Sequence, residues 1–424
     1  MALPQDTLKR ALCVAAAKGV TRVSDITGLD RLGIPVYSAV VPKSDDTISV
    51  YNGKGISSID ARTGALMESI ERQTALYTEA PIIEGSYAEL RNHTTPAIDP
   101  LLFNQKLRED YQSHLKYWWM YGYDLIREEP VLVPANLGGF GPKFGGRRSP
   151  YPAYSSNGLA SGNCPEEAVC HALCELVERD AWTLAELRSQ WLPRARREAL
   201  FGSDAGGLGV DDCDAYPRID LSEAGWPIGE LMEKFERANL RPIVRDITSD
   251  FGISCVIASV VDDCVPGFPQ VHSGLGAHPN AGIAVVRALT ELAQSRAVDI
   301  QGVREDIVPA DAAPNAHERH TQRIQSIDYG RWMLRRQGAQ RRFADLRSVE
   351  NDDIAEDIQL ILCALSREGI ERAIVVDLTE PGGFSVVRAI VPGLEFWVLD
   401  QGKLGSRALR FWKRHAALDL TSGY

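Results

Sequence analysis

The sequence predicts an α+β fold, with mixed β-sheets flanked by long helices, on three observations. Strand-like and helix-like segments alternate along the chain. The strand-like ones are short, rich in β-branched and aromatic residues, and bounded by Gly or Pro. The helix-like ones run for about twenty residues with apolar positions at helical spacing. No low-complexity tract or clean linker divides the 424 residues, so one interlocked domain over 1–424 is expected.

Taken in order, "GIPVYSAVVP" (33–42) and "TISVYNG" (47–53) read as strands. A helix follows from Ser58 to about Thr78. "PVLVPA" (130–135) is a further strand, and "NLGGFGPKFGGRRSPYP" (136–152) is a Gly/Pro/Arg loop. The segment 164–187 carries the strongest helical pattern. Pro165 suits a first turn, and Glu166 and Glu167 suit the positive end of the helix dipole. "RPIVRDIT" and "SCVIASVVDD" read as strands, and 280–302 as a third long helix. Residues 303–325 read as a surface excursion, and "IERAIVVDLT" and 384–399 as late strands.

The formal net charge of −11 argues against a dedicated nucleic-acid binder. It leaves room for a polyanion such as ATP, because a divalent cation bridges acidic side chains to phosphate. The N-terminus lacks a signal-peptide pattern, and the apolar runs are too short to span a membrane. A cytoplasmic protein without a membrane partner is expected. The eight cysteines form no Cys-x-x-Cys pair, and Cys170 and Cys174 are expected as buried thiols on a helix.

Each long helix carries a polar stripe inside an apolar pattern. On a wheel of 100° per residue, Glu68 and Glu71 lie about 60° apart, with Arg72 about 40° to the other side of Glu68. Glu167 and Glu178 lie about 20° apart, and Glu175 about 80° from Glu167. Arg287 and Glu291 are about 40° apart, with Gln294 a turn beyond. For any one helix the plain reading is a solvent-facing row of ion pairs. Three helices with the same habit point instead to convergence. Carboxylates that converge raise one another's pKa, and a hard cation such as Mg2+ resolves the conflict. Interleaved arginines suit phosphate oxygens. No P-loop is present, and "GKG" (53–55) is by itself a turn signal, although Lys54 there is within reach of a phosphate. His93, His317 and His320 are expected at the surface. His171 is expected as a packed core residue, although it lies about 40° from Glu167 on the wheel.

The stretches "GVTRVSDITGLDRLGIPVYSAVVP", "SVYNGKGISSIDARTGALMESIER", "NGLASGNCPEEAVCHALCELVERDA", "RALTELAQSR" and "SVVRAIVPGLE" together resemble the YcaO family, over about residues 19–395. The resemblance implies a YcaO-type fold and an enzyme that uses ATP and Mg2+ to activate peptide backbone amides. In such enzymes the γ-phosphoryl group passes to the amide oxygen. A side chain, a backbone amine or sulfide then attacks, and phosphate leaves. By motif position, Glu68, Glu71, Glu175, Glu178 and Glu291 correspond to Mg2+-holding carboxylates. Asn163, Glu167, Arg179 and Arg287 correspond to nucleotide and phosphate contacts, a set to which Arg72, Gln294 and Lys54 are added. Arg179 and Arg388 are the candidates closest to the chemistry.

The expected partner is a ribosomally made precursor peptide, with a partner protein and a homodimer as further expectations. Gly64 stands where the family often has Ser. The C-terminal "AALDLTSGY" lacks the Pro-x-Pro-x-Pro tail of partner-dependent azoline-forming members, and no leader-binding domain is fused. Cyclisation to a macroamidine or azoline by a stand-alone enzyme is therefore the leading expectation. Thioamidation with sulfide and a TfuA-type partner is the first alternative, and a non-catalytic ATP-binding scaffold the second.

Overall fold

A computed structural model describes residues 2–191, 195, 215–262, 270–302, 331–396 and 404–421. The expected excursion at 303–325, with His317 and His320, lies outside the described residues. Long helices are α1 (Pro4–Ala17), α2 (Ser58–Leu76), α5 (Pro165–Glu186), α6 (Ile228–Arg237), α7 (Ala281–Gly302), α8 (Ile354–Arg367) and α9 (Ser406–Thr421). Single turns form α3 (Tyr87–Leu90) and α4 (Ala135–Gly138).

Strands β1 (Arg22–Asp25), β2 (Val36–Val40) and β3 (Val50–Lys54) make an antiparallel three-stranded sheet. Strands β4 (Ile82–Ser86), β5 (Lys116–Asp124), β6 (Glu129–Pro134) and β7 (Leu159–Gly162) belong to a second sheet. A third sheet, in the order β11-β10-β9-β8-β12, uses β8 (Arg218–Asp220), β9 (Ile243–Asp246), β10 (Ser254–Asp262), β11 (Gln270–His278) and β12 (Gln340–Arg342). Strands β13 (Ile374–Asp377) and β14 (Ser385–Ile390) close the second sheet in the order β4-β5-β13-β14-β7, with β6 on β5.

The three predicted long helices form close to their expected bounds. Ser57 and Asp60 make a reciprocal capping box that starts α2. The Asn280 side chain accepts from Gly282 N and Ile283 N at 2.8 and 3.2 Å and starts α7. The late strand is shorter than expected and ends at Ile390, because Pro392 and Gly393, with φ of 100°, turn the chain. Buried apolar residues of α5 (Ala172, Leu173, Val177) pack with Leu275 of β11 and with Ile361 and Leu365 of α8. On the other side, Leu66 and Ile70 of α2 pack against Ala11 and Ala15 of α1.

One device recurs under all three carboxylate helices: each rests on a strand through glycine. A Cβ on Gly53 of β3 would lie 2.0 Å from Ala65 N and 2.1 Å from the Ala61 carbonyl oxygen of α2. On Gly162 of β7 it would meet Ala168 N of α5 at 2.6 Å. On Gly276 of β11 it would lie 2.1 Å from the Ala284 carbonyl oxygen of α7, and on Gly274 2.2 Å from Leu292 N. Backbone therefore lies directly on backbone, which holds each helix at a fixed height over its sheet.

Gly64 is the other half of the contact at Gly53, and its own Cβ would sit 3.4 Å from Gly53 Cα, an ordinary contact. Gly64→Ala is therefore expected to fold and to gain up to about 1 kcal/mol of stability from helix propensity. Denaturant unfolding checks this, and a loss of stability would show that the α2–β3 contact has no slack.

Candidate active site

Helices α2, α5 and α7 present their polar stripes to one cavity of about 1130 Å³. Lys54, Glu68, Glu71, Arg72, Asn163, Glu167, Glu175, Glu178, Arg179, Arg287, Glu291 and Gln294 all line it. Backbone and hydroxyl donors from neighbouring strands and loops fix several of the carboxylates. Asn52 N donates to Glu68 at 2.9 Å, the Ser161 hydroxyl to Glu71 at 3.1 Å, and Gly158 N to Glu175 at 3.0 Å. Glu167 folds back over the first turn of α5 and accepts from Asn163 N and Nδ2 at 2.8 and 2.9 Å. Thr7 of α1 donates in turn to Asn163 Oδ1 at 3.1 Å.

The electrostatics divide the carboxylates. Burial pushes Glu71 well above the ordinary carboxylate range, reinforced by Glu175 and Glu68. Burial also raises Glu68, against the pull of the Asn52 N–H, Arg72 and Lys54. Glu178 is pushed up to about 7 by burial, with Arg179 opposing. Burial resists ionisation of Glu291 too, but Lys54, Arg179 and Arg287 outweigh it and hold its pKa below the ordinary value. Lys54 is ion-paired to Glu291, and Arg179 Nε lies 3.7 Å from Glu178. Glu178 Oε2, Arg179 Nε and Arg287 Nε are buried and find no hydrogen-bond partner among the described residues. Orphaned buried donors and acceptors beside reluctant carboxylates fit a polyanion held by a divalent cation.

A pH dependence follows. Acids with folded pKa values above their unfolded values stabilise the fold at low pH, and that contribution is lost as pH rises through the folded value. For Glu178 the loss sets in above the ordinary carboxylate value and is complete at about 7. A divalent cation reverses it by favouring the ionised form and releasing protons. The gain in Tm from Mg2+ with a non-hydrolysable ATP analogue is therefore expected to be larger at about pH 8 than at about pH 5.5. Equal gains at both values would contradict the direction assigned to Glu71 and Glu178.

Three residues have surroundings that the sequence did not show. Arg72 reaches the cavity edge, but its guanidinium grips Asp46 at 2.9 and 3.2 Å and lies 4.4 Å over the Phe140 ring. That ion pair holds it against the cavity wall. Arg388 does not line this cavity. It faces a neighbouring apolar cavity of about 50 Å³, and its guanidinium donates to the Leu137 and Ser155 carbonyls at 3.0 and 2.6 Å. His171 is not packed in the core: its ring borders the large cavity. The ring is open to the cavity, yet desolvation by the groups around it, with the Arg287 and Lys54 charges nearby, pushes its pKa down, so the imidazole is neutral at physiological pH.

Cys170 and Cys174 are buried free thiols, as expected. Donor atoms of Cys170, His278 and Asp357 lie within 4.8 Å of one another. His278 Nδ1 accepts from Asn280 N at 3.0 Å, which leaves the ring proton on Nε2, facing Asp357. In that tautomer neither ring nitrogen has a lone pair free for a metal. Among the described residues no helix is long and apolar enough to cross a membrane.

Thr7, Asn52, Gly158 and Ser161 were not singled out from the sequence. Their part in the site depends on contacts with residues 16 to 156 positions away, and no local pattern marks them.

Carboxylates and arginines from three helices around one cavity fit the class of ATP- and Mg2+-binding proteins. The chain belongs to the YcaO family: the model of that family, described as "YcaO cyclodehydratase, ATP- and Mg2+-binding", matches residues 52–395. An uncharacterised protein from Methanothermobacter thermautotrophicus is 35% identical over 411 residues, 95% of this chain and 97% of that one. A Rhizobium leguminosarum bv. trifolii protein, described as lying in the tfuA 3′ region, is 35% identical over 400 residues, 92% of this chain and 87% of that one. Among solved structures, YcaO from Methanopyrus kandleri bound with AMPPCP and Mg2+ matches with a TM-score of 0.68 at 26% identity, covering 96% of this chain and 95% of that one. A heterocyclase in complex with substrate and cofactor shares the fold, with a TM-score of 0.69 at 19% identity over 93% of this chain and 52% of that one.

Proposed function

We propose that the chain activates a peptide backbone amide by transferring the γ-phosphoryl group of ATP to the amide oxygen. The carrying observation is the convergence of three carboxylate helices, with Arg179 and Arg287, on one cavity. In this reading Glu68, Glu71, Glu175, Glu178 and Glu291 hold Mg2+, which neutralises the triphosphate and orients its terminal phosphate. Arg179 and Arg287 meet the charge that develops on the transferring group, with buried N–H groups that have no hydrogen-bond partner among the described residues. Asn163 and Glu167 fix the rim from the start of α5, and Lys54 spans the gap between β3 and α7.

The amide oxygen forms its bond to phosphorus as ADP leaves. A nucleophile then adds to the amide carbon, and the former amide oxygen departs with phosphate. The relative described as lying in the tfuA 3′ region favours external sulfide, and a TfuA-type partner, over attack by the peptide's own side chain or backbone amine. The purified chain is to be incubated with ATP, Mg2+, sulfide and short peptides encoded beside its gene. Peptide-dependent ADP release should accompany a mass gain equal to sulfur minus oxygen. Loss of one water mass would instead establish cyclisation. ATP binding without peptide-dependent turnover would favour the scaffold reading.

A further inference from the structure

None of the described side chains of helix α9 lines the large cavity, yet the helix is bolted to two segments that do. Arg407, in its first turn, is buried and bidentate to Asp180: Nε lies 3.0 and 3.1 Å from the two carboxylate oxygens, and Nη2 lies 3.0 Å from Oδ2. The same guanidinium reaches Asp250 and lies 3.9 Å over the Phe251 ring. Asp180 is 0% exposed and also accepts from Glu395 N at 3.0 Å. The Glu395 carboxylate, itself buried, takes Gly405 N at 2.9 Å and Ala408 N at 2.8 Å, and so caps α9 from outside the helix. Ala408 packs with Leu184 and Leu187 at the far end of α5.

Asp180 directly follows Glu178 and Arg179, and Glu395 directly precedes Phe396. All three of these neighbours line the cavity. A buried ion pair is a poor way to gain stability, because the desolvation of both charges offsets much of their attraction. What the planar guanidinium does supply is direction: two parallel bonds fix the rotation of the carboxylate they grip. Gripping Asp180 fixes α5 about its own axis, and the same rotation sets where Glu178 and Arg179 point.

We propose that Arg407 is a positioning residue for the nucleotide site: through Asp180 and Glu395 it locks the Glu178–Arg179 turn and Phe396 in the geometry that receives Mg2+-nucleotide. The inference rests on the nucleotide reading given above.

The test is calorimetric titration of Mg2+·AMPPCP into the full chain, well below each variant's melting temperature. The wild type is expected to bind; if it does not, the nucleotide reading itself falls, independently of Arg407. Arg407→Ala is expected to weaken binding at least about tenfold, and Arg407→Lys, which keeps the charge but loses the fork, by a smaller factor of about threefold. Arg410→Ala, an exposed change on the same helix, is expected to bind as the wild type does. A lost scaffold contact alone would lower Tm without grading the affinity in this order. A folded Arg407→Ala with wild-type affinity overturns the proposal. If that variant does not fold, Arg407→Lys decides, and wild-type affinity in it is equally fatal.

Discussion

Glu291→Gln is expected to abolish peptide-dependent ATP turnover, by about a thousandfold or more, while the protein stays folded. The side chain keeps its shape and loses only its charge. That charge is the point on which Lys54, Arg179 and Arg287 act, and their combined field holds Glu291 ionised despite its burial. Without it, Lys54 loses its ion-pair partner and Arg179 and Arg287 lose a counter-charge. Two readouts separate this from unfolding. The far-UV circular dichroism spectrum should be unchanged, and metal-free ATP should still bind, because the excess positive charge favours a polyanion. Mg2+ should then no longer raise affinity. Glu175→Gln is expected to give the same loss of turnover from α5, where Gly158 N holds the carboxylate in place. Wild-type turnover in either variant would remove that residue from the proposed metal set.

Gly274→Ala is expected to be among the most damaging single methyl groups at the described glycines. Its Cβ would lie 2.2 Å from Leu292 N, 2.3 Å from the Ala288 carbonyl oxygen and 2.7 Å from the Glu291 carbonyl carbon. All three are backbone atoms of one helix, so no side chain can rotate away. Helix α7 must lift off β11 as a body, at a cost of about 3 kcal/mol. Arg287, Glu291 and Gln294 ride on that helix, so the surviving folded fraction should also bind Mg2+·AMPPCP poorly. Thermal unfolding together with titration checks both effects. Normal stability and normal affinity would mean that α7 and β11 lie farther apart than this geometry requires.

Much of the frame was legible along the chain. The three long helices were readable because apolar spacing near 3.6 residues is a local property, and Pro165 and Ser57 mark where two of them begin. Their polar stripes were visible for the same reason. Strand β11 escaped notice, because its Ser-Gly-Leu-Gly stretch lacks the branched residues that mark a strand. Those glycines are there because α7 lies flat upon them. Helix α9 also escaped, because its burial depends on Asp180 and Glu395, both remote from it in the sequence.

The sequence by itself determined the angular grouping of Glu68 with Glu71, of Glu175 with Glu178, and of Arg287 with Glu291. It did not determine what each group faces. A helical wheel gives a direction about an axis, and only the packing of axes decides what lies along it. Tertiary structure therefore turned Arg72 to Asp46 and Arg388 to two backbone carbonyls, brought His171 to the cavity wall, and joined the three stripes across a single space. The physical reason is range: helical period acts over a few residues, whereas the partners of a buried charge come from wherever the fold brings compensating groups within hydrogen-bond distance.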